Sequence, residues 1–93
     1  MFDRILKRMR ECVRTRRYVM SLHAEDEMNS DELSIYDVES IVLTGQITER
    51  QRDRASDEWK YVINGRSLIG DNATAVVKFG PTDKLVFITV FRE

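Results

Sequence analysis

The sequence predicts an α+β domain in which two to three amino-terminal helices pack on one face of a four-stranded antiparallel sheet. Two observations lead to this prediction. Apolar residues recur at helical spacing up to Gly45, and from Gln46 onward they follow the two-residue alternation of strands. Helices followed by strands are the order typical of an α+β fold. The 93 residues contain no linker, repeat or low-complexity tract, so we expect one domain over residues 1–93.

Helices are predicted over residues 2–16, 22–29 and 35–44. The first has an apolar face, and basic residues occupy its remaining faces. Ser21 suits the N-cap of the second helix. The segment "SIYD" from Ser34 to Asp37 resembles a capping box for the third, and Gly45 suits the end of that helix. We expect "RYVMS", between the first two helices, to be a short extended connection.

Strands are predicted over residues 46–54, 58–64, 73–79 and 84–92. The first has one strongly apolar residue, Ile47, so we expect it at a sheet edge, where its arginines discourage aggregation. Regular alternation puts Thr48, Arg50, Arg52 and Arg54 on one face and Ile47 on the other. The last two strands are apolar on both faces, as inner strands are, and "GPTDK" joins them in a turn. One face of the sheet is expected to stay partly open.

The charges are segregated although the net charge is only −1. Seven basic residues lie in the first seventeen positions, whereas residues 24–39 hold seven acids and no base. The overall charge gives no attraction to nucleic acid, but local asymmetry can still guide a partner. The basic helix could bind RNA, a ribosome surface or an acidic partner. A solvated helix is the more ordinary interpretation.

The composition excludes several classes of protein. Cys12 is the only cysteine, so an intramolecular disulfide is impossible, and its place on the apolar helix face favours a buried role. No apolar run approaches the roughly 18 residues of a membrane span, and the amino terminus does not resemble a signal peptide. We therefore expect a cytoplasmic protein without membrane contact. With one histidine and no glycine-rich phosphate loop, no metal and no cofactor is expected.

Four segments give the chain a family resemblance: "YVMSLHAEDEM", "LSIYDVESIVLTGQI", "YVING" and "AVVK…KLVFITVF". They resemble the domain-of-unknown-function family numbered 4258, over roughly Tyr18 to Arg92. The resemblance further implies a distant similarity to small RNase toxins of the RelE, barnase and colicin type. Those toxins cleave RNA without metal on an open sheet face, and many are paired with an antitoxin. A likeness at the level of fold does not by itself give function.

Metal-independent RNA cleavage needs a base, an acid and cations that stabilise the charge on phosphorus. His23 is the candidate base or acid, because histidine ionises near neutral pH. Arg50 and Lys78 are candidate cations. Thr89 and Arg92 are weaker candidates, since a regular strand points them to opposite faces. The alternative for His23 is a structural residue that ties its helix to a strand, and the surrounding acids would repel a phosphate.

The candidate RNA-binding residues are all basic and lie on the first two predicted strands: Arg50, Arg52, Arg54 and Lys60. The three arginines would form a ridge about 14 Å long, which suits a phosphate track. A solvated edge strand is the alternative. Trp59 and Tyr61 share a strand face and could stack on bases, although packing against the helices is the commoner role.

Two functions therefore remain open. One is a toxin-like, metal-independent ribonuclease or RNA-binding protein of a toxin–antitoxin type system, whose partners would be RNA or a ribosome and a cognate antitoxin. The other is a non-enzymatic regulatory or protein-interaction module, which could form a homodimer through an edge strand.

Overall fold

A computed structural model describes residues 1–93 and contains three helices and a five-stranded mixed sheet. In chain order the elements are α1 (Asp3–Arg14), β1 (Tyr18–Met20), α2 (Leu22–Ser30), α3 (Ile35–Thr44), β2 (Gln46–Asp53), β3 (Glu58–Arg66), β4 (Asn72–Phe79) and β5 (Leu85–Arg92). The α+β class is confirmed, and each predicted helix and strand is present with its ends within two residues of the prediction.

The expected count of four antiparallel strands is wrong, because the segment before α2 is itself a strand. β1 pairs in parallel with β5, Tyr18 opposite Leu85 and Met20 opposite Phe87. The sheet order is β1-β5-β4-β3-β2, so β2 is an edge strand as predicted. Three residues are too few to give an alternating pattern, and the partner strand lies at the other end of the sequence. For both reasons, the residues around β1 contain no pattern that predicts a strand.

β1 is also tied to α3. The Tyr18 hydroxyl donates to Oε2 of Glu39 at 2.5 Å. Burial raises the pKa of Tyr18 to about 12, and the hydrogen bond to the Glu39 carboxylate adds to the effect. Glu39 of α3 thus has a structural partner inside the fold.

α2 covers the edge of β5 beyond the point where β1 ends. Oε1 of Glu27 accepts the backbone N–H of Val90 at 3.1 Å, and Oδ2 of Asp31 accepts the N–H of Arg92 at 2.8 Å. The two carboxylates take the place of a strand partner for these N–H groups, which would otherwise lack one. Two of the seven acids in residues 24–39, which we call the acidic segment, therefore close a sheet edge.

The core lies between the helices and one face of the sheet. Its fully buried side chains include Met9, Val38, Ile41, Val42, Ile63, Val77, Leu85, Phe87 and Val90. α3 approaches the sheet most closely, since a Cβ atom at Gly45 or Gly65 would lie 2.4 or 2.2 Å from the carbonyl oxygen of Ile41. Gly45 ends α3 as predicted, but it does so with φ of −93°. Glycine is required there by the close approach and not by a left-handed turn.

The predicted helix caps are present. Oγ of Ser21 accepts the N–H of Ala24 at 3.0 Å. Ser34 and Asp37 form the capping box, and the other carboxylate oxygen of Asp37 accepts the N–H of Leu68 at 2.9 Å. Several hydrogen bonds lower the pKa of Asp37. The bond from the backbone N–H of Ser34 has the largest effect, and the bond from the N–H of Leu68 acts in the same direction.

A β-bulge in β2 changes the predicted faces of its side chains. Ladder pairing shifts by one residue at Thr48, so that Ile47 lies opposite Ile63 and Arg50 lies opposite Tyr61. A bulge re-aims every side chain that follows it. Thr48 and the arginines therefore do not share a face, contrary to the prediction. Arg50 and the core residue Ile47 project from the same side of the sheet, the side that carries the helices.

We expect Glu27→Ala to lower the free energy of unfolding by about 1–3 kcal/mol, because the N–H of Val90 loses its acceptor. Asp26→Ala is the matched control, since this neighbouring carboxylate is exposed and makes no hydrogen bond. The measurement is urea unfolding followed by far-UV circular dichroism. Equal losses for the two variants would contradict the assignment of Glu27 as an edge cap.

Asp37→Asn is expected to lower stability at pH 7 by about 1 kcal/mol. The folded state lowers the pKa of Asp37, so its contribution is fully present above the unfolded pKa of about 3.9 and is lost as the pH falls through the lower folded value. The difference between wild type and variant should shrink between about pH 5 and pH 2. Urea unfolding at several pH values measures it, and a difference independent of pH would contradict the prediction.

Candidate nucleic-acid interface

The outer surface of α1 and the turn after it are basic. Its exposed cationic side chains are Arg4, Lys7, Arg8, Arg14, Arg16 and Arg17. Only two of them have a carboxylate partner: Arg8 lies 3.5 Å from Asp83, and Arg14 lies 3.8 Å from Glu11. The remaining four carry positive charge that no carboxylate of the chain pairs.

Arg10 is the exception among the basic residues of α1. Its Nε donates to the carbonyl oxygen of Val42 at 3.2 Å, and its Nη2 donates to that of Gly45 at 3.0 Å. These carbonyls end α3, which has no basic residue in its own last turn. Arg10 therefore caps α3 and is not available to a ligand in the way its neighbours are.

A second basic group lies on β2 and β3. The guanidinium carbons of Arg50 and Arg52 lie 4.0 and 4.3 Å from the centroid of the Trp59 ring. Such cation–π contacts hold the guanidinium groups in place without neutralising their charge. Arg52 also donates to Oδ1 of Asp57 at 2.8 Å, whereas Arg50 has no carboxylate partner. Trp59 remains 38% exposed.

An open pocket with aromatic walls, which we call the aromatic cavity, lies on β3 and β4 beside the stack of Arg50 and Arg52 on Trp59. Trp59, Tyr61 and Phe79 line it together with Asp57 and Glu58, and its volume is about 260 Å³. The guanidinium carbon of Arg8 lies 4.2 Å from the centroid of Phe79. Arg8 from α1 therefore flanks the cavity on the Phe79 side, and the arginines of β2 flank it on the Trp59 side.

The basic residues of α1 and β2 lie on the same side of the sheet. Phe2, immediately before α1, packs edge-on against Tyr61 with ring centroids 6.2 Å apart, and Tyr61 lies opposite Arg50 in the ladder. We call this surface the cationic face. Its eight basic residues are Arg4, Lys7, Arg8, Arg14, Arg16, Arg17, Arg50 and Arg52, and its acids are Asp3, Glu11, Asp57 and Asp83.

The other predicted RNA-binding residues lie elsewhere. Arg54 follows the end of β2, in the turn before β3. Lys60 alternates with the buried Tyr61 and so points to the opposite, open side of the sheet. Of the four predicted residues, the structure brings Arg50 and Arg52 together with Trp59 and separates the other two from them.

The predicted catalytic residues are not brought together. His23 lies on α2, beside β5, with its side chain 67% exposed and its Nε2 3.1 Å from Oε1 of Glu27. Arg50 lies on β2, three strand spacings from β5, which is roughly 14 Å. Lys78 lies on the open side of the sheet, where its Nζ contacts Oε1 of Glu58 at 3.2 Å.

The two weaker catalytic candidates remain on opposite faces of β5. The strand does bulge, but the pairing shift lies between Phe87 and Thr89, before both residues. Thr89 faces the open side. Arg92 faces the helices, where its Nε and Nη2 donate to the carbonyl oxygen of Asp31 at 3.3 and 3.2 Å, and it also pairs with Asp71. Arg92 thus joins the end of α2 to the loop between β3 and β4.

Two general features of the chain bear on ligand classes. No three histidine, cysteine or carboxylate side chains lie close enough together to hold a metal ion. None of the three helices combines the length and the apolar character needed to cross a lipid bilayer.

Sequence reasoning missed the contact of Arg52 with Trp59, although a signal for it exists. Asp53 pairs with Glu58 across the turn, which places Arg52 directly opposite Trp59. A hairpin whose turn is centred on Ala55 and Ser56 therefore predicts that Arg52 lies opposite Trp59. The bulge at Thr48 has no such signal, because the alternation is intact on either side of it.

Fold and site together define a small α+β domain with a cationic face beside an aromatic cavity. The chain belongs to the family described as Domain of unknown function (DUF4258), which matches residues 20–92, well over half of its length. The segment that matches includes Arg50, Arg52 and Trp59, whereas α1 precedes it. No curated protein and no solved structure matches the sequence.

His23→Ala is expected to change the free energy of unfolding by at most about 1 kcal/mol, because pairs between exposed side chains contribute little. Glu27 keeps its hydrogen bond to Val90 in this variant, so the edge of β5 stays closed. Urea unfolding beside Glu27→Ala measures the difference. A loss for His23→Ala as large as that for Glu27→Ala would make the imidazole a structural anchor.

Proposed function

We propose that this chain is an RNA-binding domain whose cationic face contacts the phosphate backbone. The observation that carries the proposal is the stack of Arg50 and Arg52 on Trp59, beside the basic surface of α1. Arginine and lysine bind phosphates and release the counterions that surround nucleic acid, which makes such binding strong at low salt and weak at high salt. Aromatic side chains among the cations are typical of surfaces that also contact bases.

The net charge of −1 does not oppose this proposal, because many of the acids are used within the fold. Four of the seven in residues 24–39 accept hydrogen bonds from the chain itself: Glu27, Asp31, Asp37 and Glu39. All seven lie on or beside α2 and α3, not on the surface of α1 or the stack on β2. A local excess of positive charge therefore remains available to a polyanion.

Binding is favoured over cleavage by the separation of the candidate catalytic groups. A ribonuclease needs its base, acid and cations around one phosphate. His23 lies at one edge of the sheet with a carboxylate partner, Arg50 lies at the other edge, and Lys78 lies on the opposite face. The arginines of the cationic face have no histidine near them, which suits contact with RNA without hydrolysis.

The open side of the sheet favours a second function, protein binding. Val19 and Phe91 are exposed there beside partly buried apolar residues of β3 and β4. Self-association through the edge of β2 is disfavoured. A twofold antiparallel pairing centred on any residue from Glu49 to Arg52 would place like charges opposite one another.

The proposal predicts that replacing both Arg50 and Arg52 by Ala weakens binding to a short RNA at least tenfold at low salt. The slope of the logarithm of affinity against the logarithm of salt concentration should also decrease, by about 0.7 for each phosphate of a single strand that the variant no longer neutralises. Lys60→Ala is the matched control, since it removes a cation from the same hairpin on the opposite side of the sheet. Fluorescence anisotropy with end-labelled RNA gives both quantities.

Equal losses for the control and for the arginine variant would contradict the assignment of the cationic face. Absence of binding by the wild-type chain at low salt would exclude the proposed function and leave protein binding through the open sheet face. Melting temperatures of the variants provide the check on folding. Both arginines are exposed, so we expect those temperatures to change little.

A further inference from the structure

We propose that the aromatic cavity accepts one unpaired nucleobase, so that the ligand of the cationic face is a single strand and not a duplex. The inference rests on the proposed function, because it assigns the base-reading part of the same surface. It goes further in naming the form of nucleic acid and the residues that distinguish it.

The shape of the cavity suits one ring system. Tyr61 is only 7% exposed and forms part of the floor, whereas Trp59 stands more exposed beside it on the same strand. Phe79 is half-buried on the neighbouring strand. The volume of about 260 Å³ lies just below the roughly 300 Å³ at which sites for drug-sized ligands begin. An aromatic-walled space of this size fits a flat heterocycle better than a hydrated phosphate.

The cations are arranged around the cavity and not inside it. Arg8 covers Phe79, while Arg50 and Arg52 cover Trp59. Unpaired bases stack both on aromatic rings and on guanidinium planes, and their neighbouring phosphates need cations within reach. A base in the cavity would therefore bring the phosphates of its own strand to these arginines.

The Asp57 carboxylate distinguishes the base of the ligand from its phosphates. The Asp57 carboxylate, which pairs with Arg52, stands at the cavity and would repel a phosphate that entered, whereas the Glu58 carboxylate contacts Lys78 on the open side of the sheet. A carboxylate accepts hydrogen bonds from the amino and imino groups on the edge of a base. The cavity thus favours the base and the surrounding arginines favour the backbone. A duplex cannot satisfy both, because its bases are stacked and paired inside the helix.

Trp59 is the only tryptophan of the chain, so its fluorescence reports on the cavity directly. The full-length chain is titrated at low salt with three ligands: a short single-stranded RNA, the same sequence as a blunt duplex, and an abasic oligonucleotide of equal length. We expect quenching of Trp59 by the single strand alone. We also expect the single strand to bind about tenfold more tightly than the abasic backbone.

Variants tested by anisotropy make the assignment specific to the cavity. Trp59→Ala should weaken binding of the single strand roughly tenfold more than it weakens binding of the abasic oligonucleotide, because loss of the stack on Arg50 and Arg52 affects both ligands but loss of the base site affects only the first. Trp59→Phe should restore most of the affinity. Tyr36→Ala is the matched control, because Tyr36 is an aromatic residue, 57% exposed, on α3 and outside the cavity. Circular dichroism establishes that each variant is folded.

The outcomes separate this inference from the proposed function. Equal affinity for single strand, duplex and abasic oligonucleotide, without quenching, would overturn the base site while backbone binding stands. No binding of any of the three would overturn both. A single-stranded DNA of the same sequence is the final arm. Equal quenching by DNA assigns the site to the base alone, and quenching by RNA only assigns a contact to the 2′-hydroxyl as well.

Discussion

The bulge at Thr48 determines which side of the molecule carries the arginines of β2. Ile47 is fixed in place by the core, since its strand partner Ile63 is fully buried. With regular alternation the arginines would then point to the open side of the sheet. One extra residue reverses this and puts Arg50 and Arg52 beside Trp59, on the side that carries α1. Arg50 and Arg52 belong to the cationic face because of this single change of register.

The acidic segment has a complementary role. Its carboxylates serve as acceptors where the backbone lacks partners: Glu27 and Asp31 close the edge of β5, and Asp37 caps α3 and holds the loop at Leu68. Buried or half-buried N–H groups need such acceptors, because an unpaired one is costly. Positive charge is then concentrated on α1 and β2, and a chain of nearly neutral total charge presents one strongly basic surface. His23 lies among these acids on α2 and not on the cationic face, and it contacts Glu27.

The features that the sequence predicted correctly are local ones. The capping box of Ser34 and Asp37, the end of α3 at Gly45 and the alternation of β3 depend on residues a few positions apart. The features that it did not predict are non-local. β1 is a strand only because β5 lies beside it, and Arg10 caps α3 from another helix. For the site, residue type pointed to Arg50 and Arg52 but also to Lys60 and Lys78, which lie on the opposite side of the sheet. The sequence could not separate the two pairs, because the side from which Arg50 and Arg52 project depends on a bulge that leaves no pattern.

The most direct test of the cationic face is an NMR titration of the ¹⁵N-labelled chain with a short RNA. The account predicts that the largest shift changes occur at the Trp59 indole N–H and at the backbone amides of Arg50, Arg52 and Lys7. Shift changes confined to the residues around His23, or to the open side of the sheet at Val62 and Val76, would contradict it.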